Sequence, residues 1–514
     1  MLANGKTVKG TYNAMTGDRE PYLSRARQVS ALTLAHIMPD QGYAGATLPT
    51  AYQSVGAMGV SSRASKLMLV LFPPNQSFLR LQPRFDQSVP GNYKSEIEAS
   101  LAQIEETVAG EIEDMVLRPH IYESLLHLEV CGNVVLNLSG TKPRVHHLSN
   151  FVVKRDPAGE LLLLIVEECI APELLPEAVQ AQIKKENDTA SSGGVLASDQ
   201  TVSIYTAVAR KNPNTYEVWQ EACGMEIPKS RGTFKEDELP FIVLRSAPIA
   251  GQSYAYGHAA LLLGDLASLE GLMKSLVEAS AASSRLLFLV NPGAVAKPSE
   301  LNKAPNGGFV PGHPDDITPL KTDKAADMAV AFQMIEKLTK SLGYAFLLNQ
   351  SVQRSGERVT AEEIKFLAQE LDDVQAGTYA LLSQELQLRL VKVLMARLSK
   401  AKRIPKIDPK VAVPIIVTGL EALGRGHDLL KLDTLIQGAA QTLGPDTLAQ
   451  YLNVGDYLKR RGTALGINLD GLIRSEEEVQ QVNAANAQAA MAQNVAPEVV
   501  KQVGQAVQNR QSPK

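Results

Sequence analysis

The chain contains 514 residues, well above the roughly 250–300 residues that a single hydrophobic core supports, so we expect several domains. Its formal net charge is −4 and its isoelectric point is near 6.1. A protein that grips DNA by its phosphates normally carries a basic excess. This composition therefore argues against a stationary DNA-binding protein, and it leaves open a channel through which DNA slides.

The three cysteines, Cys131, Cys169 and Cys223, match neither a zinc ribbon nor a redox pair in their spacing, so we expect buried free thiols in a reducing cytoplasm. Residues 1–19 lack the apolar core of a secretory signal. The longest apolar run, Leu67–Phe72, is too short to cross a bilayer. The sequence thus predicts a protein made in the cytoplasm, without membrane insertion, metal or cofactor.

The N-terminal segment of residues 1–17 is polar and contains glycine, which predicts a loose arm. Apolar residues at helical spacing then predict three helices, over about 18–37, 60–71 and 93–117. Pro119 is expected to separate the third helix from a fourth, which ends near Cys131.

From about residue 133 to residue 244 the pattern becomes that of strands. Turn residues at 156–159 and 212–214 predict two hairpins, each between two apolar runs. His146 and His147 lie next to each other on a predicted strand, where neighbouring side chains point to opposite faces. This pair therefore does not predict a shared metal site.

The predicted helix over 258–284 has two different sides. Bulky residues recur at spacings of 3 and 4 on one side, at Leu262, Leu266, Leu269, Met273 and Leu276. Small residues occupy the other side, at Gly264, Ser268, Gly271, Ser275 and Ala282. Because small residues let another backbone approach closely, we interpret this helix as wedged between neighbours. A core helix of a single globule stays open as the alternative.

Residues 285–321 are dense in proline, which excludes a long helix, although Leu286–Val290 and Gly308–Val310 could pair as strands. Asp323 is a candidate N-cap for the next helix, which should end at Gly343. Its apolar face is predicted to include Phe332 and Ile335. Its polar side carries Gln333, Glu336, Lys337 and Lys340.

A polar loop over 344–359 contains Gln353, Arg354 and Arg358. Thr360 and Glu363 then form a capping box that opens a proline-free helix to Lys400, about 60 Å long at about 1.5 Å per residue. The tail of residues 475–514 is low in complexity, and its composition is compatible with a frayed helix or with disorder.

The order helix, proline-rich insert, helix, loop and very long helix resembles the portal proteins, or head-to-tail connectors, of short-tailed bacteriophages of the podovirus and autographivirus type. Sequence blocks in matching order carry this resemblance, at Ala64–Pro73, Cys131–Leu138, Leu148–Gly159, Leu289–Gly293, 345–394 and Thr418–Asp428. None of these blocks is a catalytic signature. The resemblance implies an α+β, predominantly helical portal fold, assembled as a ring around a central channel.

Carried over by order, the family's segments would be a wing over 18–250, an outer stem helix over 251–284, a clip over 285–321, an inner stem helix over 322–343, a channel loop over 344–359, and a long wing helix with crown over 360–474. The ring interface would then involve the two-sided helix, through Gly264, Ser268, Gly271, Ser275, Leu266, Leu269 and Met273. The DNA channel would be lined by Gln353, Arg354, Arg358, Lys337 and Lys340.

The resemblance also implies a role and partners. Twelve copies would form a ring at one vertex of the phage capsid, in the virion, through which viral DNA is packaged and ejected. The ring would nucleate procapsid assembly with scaffold and major capsid proteins. It would dock the terminase large subunit and later the tail adaptor. Two alternatives stay open: another ring component such as the tail adaptor, or a phage DNA-processing enzyme. The chain lacks the GxxxxGK[ST], GxSxG and HExxH motifs, which argues against the enzyme.

The cationic residues allow more than one interpretation at this stage. Arg354 and Arg358 are channel residues that touch phosphates transiently, or solvent-exposed loop arginines, or arginines that pair with a neighbour's carboxylates such as Glu357. Lys337 and Lys340 are either channel-facing or paired with acidic residues of a neighbouring copy.

Overall fold

The chain folds into helices and strands in a computed structural model, which bears out the predicted α+β class. The structure describes residues 7–39, 48–73, 78–85, 91–177, 179–181, 201–283, 288–293, 295, 297–313, 315–319, 325–348, 378–405, 412–418, 425–444, 452, 454–455, 457–458, 461 and 481. It divides into a larger unit of Met1–Gln76 and Val108–Arg403, and a smaller unit of Ser77–Thr107 and Ile404–Lys514. None of the helices within these described ranges is both long enough and apolar enough to cross a membrane.

The elements up to the end of the main sheet are α1 (Val8–Leu32), α2 (Val55–Leu71), β1 (Leu79–Phe85), α3 (Gly91–Asp114), α4 (Leu117–Cys131), β2 (Asn133–Asn137), β3 (Arg144–His147), β4 (Phe151–Arg155), β5 (Leu161–Ile170), β6 (Val202–Asn212), β7 (Thr215–Ala222), β8 (Met225–Glu226), β9 (Gly232–Lys235) and β10 (Phe241–Arg245). The later elements are α5 (His258–Leu261), α6 (Leu263–Ser283), β11 (Phe288–Val290), α7 (Pro298–Leu301), β12 (Ile317–Pro319), α8 (Ala325–Ala345), α9 (Thr378–Leu382), a π-helical segment (Ser383–Leu388), α10 (Arg389–Lys400), β13 (Ala412–Thr418) and α11 (Arg425–Leu443).

The largest sheet is antiparallel, with β4 to β8 in chain order and β9 added to β7. The two predicted hairpins are confirmed: Phe151 lies opposite Val166, and Asn212 lies opposite Thr215. The first hairpin turns at Gly159, whose φ of 92° favours glycine and whose Cα lies against the Arg245 guanidinium. A separate three-stranded sheet has the order β10, β2, β3.

Strand β5 explains why its sequence is a continuous apolar run and does not alternate with polar residues. Leu164 and Val166 pack into the main core, which also contains side chains of α1, α4, α6 and α8. Leu163 and Ile165 point to the other face, where a second core includes Trp219. Because both faces of the sheet are covered, neither set of positions needs polar residues.

The predicted N-terminal arm is wrong for residues 8–17, because α1 begins at Val8, ten residues earlier than expected. The Thr7 hydroxyl accepts a hydrogen bond from the Gly10 N–H and caps the helix. The Glu221 carboxylate on β7 accepts from the Val8 N–H at 2.8 Å. Val8 and Tyr12 are buried against the sheet. A tertiary carboxylate and this packing, neither visible in the local pattern, extend the helix.

The third helix is also shorter than predicted. Helix α3 ends at Asp114, and Val116 takes a left-handed conformation with φ of 52° before α4 begins at Leu117. Pro119 lies in the first turn of α4, where a missing N–H costs nothing, so it does not separate the two helices. The predicted end of α4 near Cys131 is confirmed.

The smaller unit is described over fewer residues. Its strands β1 and β13 pair antiparallel, with Leu79 opposite Thr418. The Glu105 carboxylate accepts from the Leu81 N–H at 2.6 Å. Of the predicted C-terminal tail over 475–514, the structure describes only Gln481.

Candidate subunit interface and channel lining

Helix α6 buries a stripe of bulky residues in the core of its own chain. Leu266 and Leu269 are 0% and 1% exposed, and the partly buried Met273 continues the stripe against the same core. The main neighbours of α6 are α8 and α1. Leu266 and Leu269 are therefore unavailable to another copy, against the prediction, because their own chain covers them. Met273 is only partly covered, and its predicted contact with another copy remains a prediction. The helix itself is shorter than the predicted 251–284 segment, since residues 251–257 are not helical.

The opposite side of α6 is exposed and carries small residues, at Gly264, Ser268, Gly271 and Ser275. A Cβ placed on Gly264 or Gly271 would meet no atom within 4 Å. Glycine inside a helix is about 1 kcal/mol less favourable than alanine, and nothing in this chain's own packing requires it here. The two glycines therefore fit the predicted close approach of another helix, which remains a prediction.

Helix α8 packs against α6 through a stripe that differs from the predicted one. Ile335 and Leu342 are 8% and 1% exposed, and Leu338 between them is partly buried. Phe332, predicted to belong to the apolar face, is 58% exposed. Val330 and Met334 are also exposed, at 61% and 46%, on the other flank of the buried stripe. Helix α8 therefore presents apolar side chains to both of its flanks.

The cations of α8 lie away from its buried stripe. At about 100° per residue, Gln333 and Lys340 project almost directly opposite that stripe, and Lys337 lies about 50° from them. Both lysines are exposed, and neither forms an ion pair with any residue that the structure describes. The side of α8 that carries Lys337 and Lys340 is thus open to solvent in a single subunit.

The C-terminal end of α8 is held firmly by the larger unit. The Lys66 ammonium on α2 donates to the Leu347 carbonyl at 2.5 Å, and His258 Nε2 lies 3.1 Å from the Ala345 carbonyl oxygen. Phe346 is fully buried against Gly59, where a Cβ would come within 2.4 Å of its ring. The helix ends at Ala345, two residues beyond the predicted Gly343.

The remaining predicted channel residues, Gln353, Arg354 and Arg358, lie outside the described residues, as does the N-cap candidate Asp323. The capping box of Thr360 and Glu363 lies outside them too. The predicted long helix is described from Thr378 and ends at Lys400 as expected, with the π-helical segment Ser383–Leu388 inside it.

The proline-rich segment contains a two-stranded ribbon whose partner strand was predicted incorrectly. Strand β11 pairs with β12, with Val290 opposite Ile317, whereas 308–310 forms no strand. Asp316 fixes this pairing, because its backbone carbonyl accepts from the Asn291 N–H at 3.0 Å and its buried carboxylate accepts from the His313 N–H at 2.9 Å. These two contacts are not visible in strand propensity.

An unpredicted group of histidines lines an open cavity of about 440 Å³, formed by His36, Ile37, Glu123, Leu126, His127 and His147. Burial lowers the pKa of His127 to about 3 and that of His147 to about 4. Among the described residues, no three potential ligands are arranged to hold a metal ion. His36 lies in the turn after α1, His127 on α4 and His147 on β3, so no sequence spacing could have indicated that they meet.

His146 and His147 behave as the strand pattern predicts. His146 Nε2 lies 3.4 Å from the Asn137 amide, whereas His147 Nδ1 lies 2.5 Å from the Ser149 hydroxyl. Burial lowers the pKa of His146 to about 4 as well. The two rings therefore have different partners and do not form one site.

Comparisons with known proteins show which family the chain belongs to. The model of the bacteriophage head to tail connecting protein family matches residues 5–473. The chain belongs to this head-to-tail connector family. It is 36% identical to the portal protein of Escherichia phage T7 over 95% of this chain and 94% of the relative. It is 37% identical to the portal protein of Enterobacteria phage T3 over 92% of this chain and 89% of the relative.

A solved structure described as the neck of an empty GTA particle matches 85% of this head-to-tail connector and 94% of its own chain, at 12% identity and a TM-score of 0.37. Membership of the family identifies the chain as a phage portal protein and supports an oligomeric portal assembly in the virion. Portal proteins are structural connectors, which agrees with the expected non-enzymatic role.

Proposed function

We propose that this portal protein forms a closed ring at a single capsid vertex, through which viral DNA enters during packaging and leaves during ejection. The carrying observation is the pair of α6 and α8. The two helices pack against each other through Leu266, Leu269, Ile335 and Leu342, and both keep a large exposed side. Each helix of the pair is therefore covered by its own chain on one side only, and copies of the same chain would cover the exposed sides.

The exposed sides of α6 and α8 differ in the size of their side chains, as the two faces of a contact between neighbouring subunits would. Helix α6 offers a smooth face of glycine and serine, which accepts a neighbour's helix at short range. Helix α8 offers Phe332 on one flank and Val330 with Met334 on the other. Apolar side chains exposed to this extent favour burial against a neighbour. Two opposite apolar flanks fit a ring, where every subunit has a neighbour on each side.

In this arrangement the side of α8 that carries Gln333, Lys337 and Lys340 would face the axis. B-DNA carries one charge per about 1.7 Å of its axis, so a densely basic wall would hold it and stall translocation. The chain's net charge of −4 and its sparse lysines fit a wall that touches phosphates only transiently. We propose the same transient role for Arg354 and Arg358, with Gln353 beside them, in the channel loop over 344–359.

We further propose that the ring contains twelve copies, as its family resemblance implies. The wing over 18–250 and the crown within 360–474 would face the capsid, where scaffold and major capsid proteins assemble around the ring. The clip over 285–321 would dock the terminase large subunit during packaging and the tail adaptor afterwards. The outer and inner stem helices, α6 and α8, would connect these two ends.

The test is the mass and shape of the purified protein. We expect particles close to twelve times 55.4 kDa in mass photometry, and rings with a central hole in negative-stain electron microscopy, without DNA or nucleotide. A stable monomer at micromolar concentration would reject the proposal. A tail adaptor would also form a ring, so the second arm is co-expression with scaffold and capsid proteins. A portal is expected to enter procapsids before any DNA is packaged, whereas an adaptor is not.

A further inference from the structure

Among the clip residues that the structure describes, Phe309 is an aromatic side chain that no other described residue covers. Phe309 is fully exposed, and the neighbouring clip residues Leu289 and Val295 are 57% and 59% exposed. The clip also has little structure of its own, because β11 and β12 are three residues long. A two-stranded ribbon of this size is marginal in water by itself. Both observations indicate that another surface covers the clip in the working protein.

The same clip contains a hollow that suits such a side chain. Its volume is about 260 Å³, and it is lined by Leu301, Val310, Pro311, Gly312, His313, Asp316 and Ile317. A cavity of about 150 Å³ with apolar walls is large enough to hold benzene, so this hollow has room for a phenyl ring. The buried Asp316 carboxylate fixes its rim by accepting from the Val295 N–H at 3.2 Å and the His313 N–H at 2.9 Å.

Phe309 does not fill the hollow of its own subunit. Val310 lines the hollow, whereas Phe309, the preceding residue, has its whole side chain in solvent and therefore points elsewhere. A protruding apolar residue and a matching pocket at a different place on one molecule generate a head-to-tail contact between copies. Such contacts form a closed ring when the rotation between copies allows it.

We propose that Phe309 of each subunit inserts into the Leu301–Ile317 hollow of the next subunit and joins the clips of the ring. The proposal rests on the ring proposed above. It adds a second contact between subunits, in the clip, to the one proposed for the small-residue face of α6. A second copy is the occupant that the structure favours, because each clip supplies one protruding ring and one hollow. Every copy in a closed ring would then both give and receive this contact.

Site-specific crosslinking tests the contact directly. The variant Phe309→Cys with Leu301→Cys is prepared in a background of Cys169→Ser and Cys223→Ser, leaving the buried Cys131. A short bismaleimide should join successive subunits into a ladder well beyond the dimer on a denaturing gel. Phe309→Cys alone should give at most dimers. Phe309→Cys with Lys303→Cys is the matched control, because Lys303 is exposed but does not line the hollow.

A second measurement does not depend on crosslinker geometry. Phe309→Ala should dissociate at protein concentrations at least tenfold higher than wild-type rings in mass photometry, while Phe309→Leu should stay close to wild type. Subunit unfolding should not change, since no residue that the structure describes covers the Phe309 side chain.

Rings without a ladder, and with unchanged dissociation of Phe309→Ala, would overturn the inference and leave the proposed ring intact. Normal Phe309→Ala rings that fail only to bind the tail adaptor would also overturn it, by identifying the adaptor as the occupant. Absence of rings in the wild-type protein would overturn both proposals.

Discussion

Replacing Gly271 by leucine should affect the stability of the subunit and the stability of the ring in opposite directions. Gly271 is exposed on α6, and a Cβ there meets no atom within 4 Å. Glycine in a helix interior is about 1 kcal/mol less favourable than alanine, and leucine is close to alanine. Gly271→Leu should therefore raise the subunit's free energy of unfolding by about 0.5–1 kcal/mol.

The ring should respond in the opposite direction. If a neighbour's helix approaches this face, the leucine side chain overpacks the contact, at a cost of about 1–3 kcal/mol. Since about 1.4 kcal/mol is a factor of ten in an equilibrium constant, each contact should weaken roughly 5- to 150-fold. Rings of Gly271→Leu should thus fall apart at protein concentrations where wild-type rings persist.

Two assays report the two effects separately. Mass photometry over a dilution series measures ring dissociation. Fluorescence of Trp219, the single tryptophan, which is buried against the sheet, reports subunit unfolding in urea. Gly110→Leu is the matched control, because Gly110 is an exposed glycine of α3 that also has no atom within 4 Å of a Cβ. If both variants dissociate at the same concentration as wild type, the small-residue face of α6 is not the ring interface.

Gly59→Ala should lower the free energy of unfolding by about 1–2 kcal/mol, because overpacking against Phe346 outweighs the higher helix propensity of alanine. The control Gly110→Ala should raise the urea midpoint, and equal midpoints for the two variants would contradict this prediction. Burial holds the pKa of His127 near 3 and those of His146 and His147 near 4, so below pH 6.5 the unfolded chain takes up protons that the folded chain does not. Stability in urea titrations should be constant between about pH 6.5 and 8 and fall between pH 6.5 and 4, by up to about 1.4 kcal/mol per unit for each histidine. Burial raises the pKa of Glu168 and Glu385, which flattens the fall at its acid end, and burial raises the pKa of Cys131, which makes stability fall again at alkaline pH. A midpoint that does not change between pH 6.5 and 4 would be inconsistent with neutral buried histidines. Truncation after Leu472 should leave ring mass unchanged, since the tail lacks a strong apolar stripe; loss of rings would make the tail structural. Arg354→Ala with Arg358→Ala should leave rings and procapsids normal but give incompletely packaged or leaking DNA, and full-length, retained genomes would remove both arginines from the channel.

The sequence predicted correctly those elements whose ends are determined by residues close by in the chain. The hairpin at Gly159 was predictable because its turn needs a residue tolerant of positive φ. The end of α4 was predictable because Gly132, with φ of 76°, follows it. By contrast, the start of α1 depends on Glu221, more than 200 residues away in the chain, and the partner of β11 depends on Asp316. Such distant contacts leave no periodic signal.

The candidate site was half predictable for a related reason. Periodicity shows that α6 has two unlike sides, but it does not show which side the chain itself covers. Leu266 and Leu269 were assigned to a neighbouring copy, although α8 and α1 of the same chain cover them. In the same way, Phe332 and Leu338 both fit an apolar stripe on α8. Only the position of α6 beside α8 shows that Leu338 is packed in the core while Phe332 is exposed.

The C-terminal end of α8 is held by contacts that would be costly to break. Moving Leu347 would break a buried hydrogen bond from a charged donor and uncover Phe346, at a combined cost of about 3–6 kcal/mol. A displacement of that cost is populated at roughly one part in 10²–10⁴. The anchor extends further, because Arg63 on α2 forms a buried ion pair with Glu129 on α4 at 2.5 Å. If DNA passes along α8 as proposed, contact with it should therefore leave the C-terminal end of this helix in place, and substitutions that remove the Lys66 or Phe346 contacts should be needed to release it.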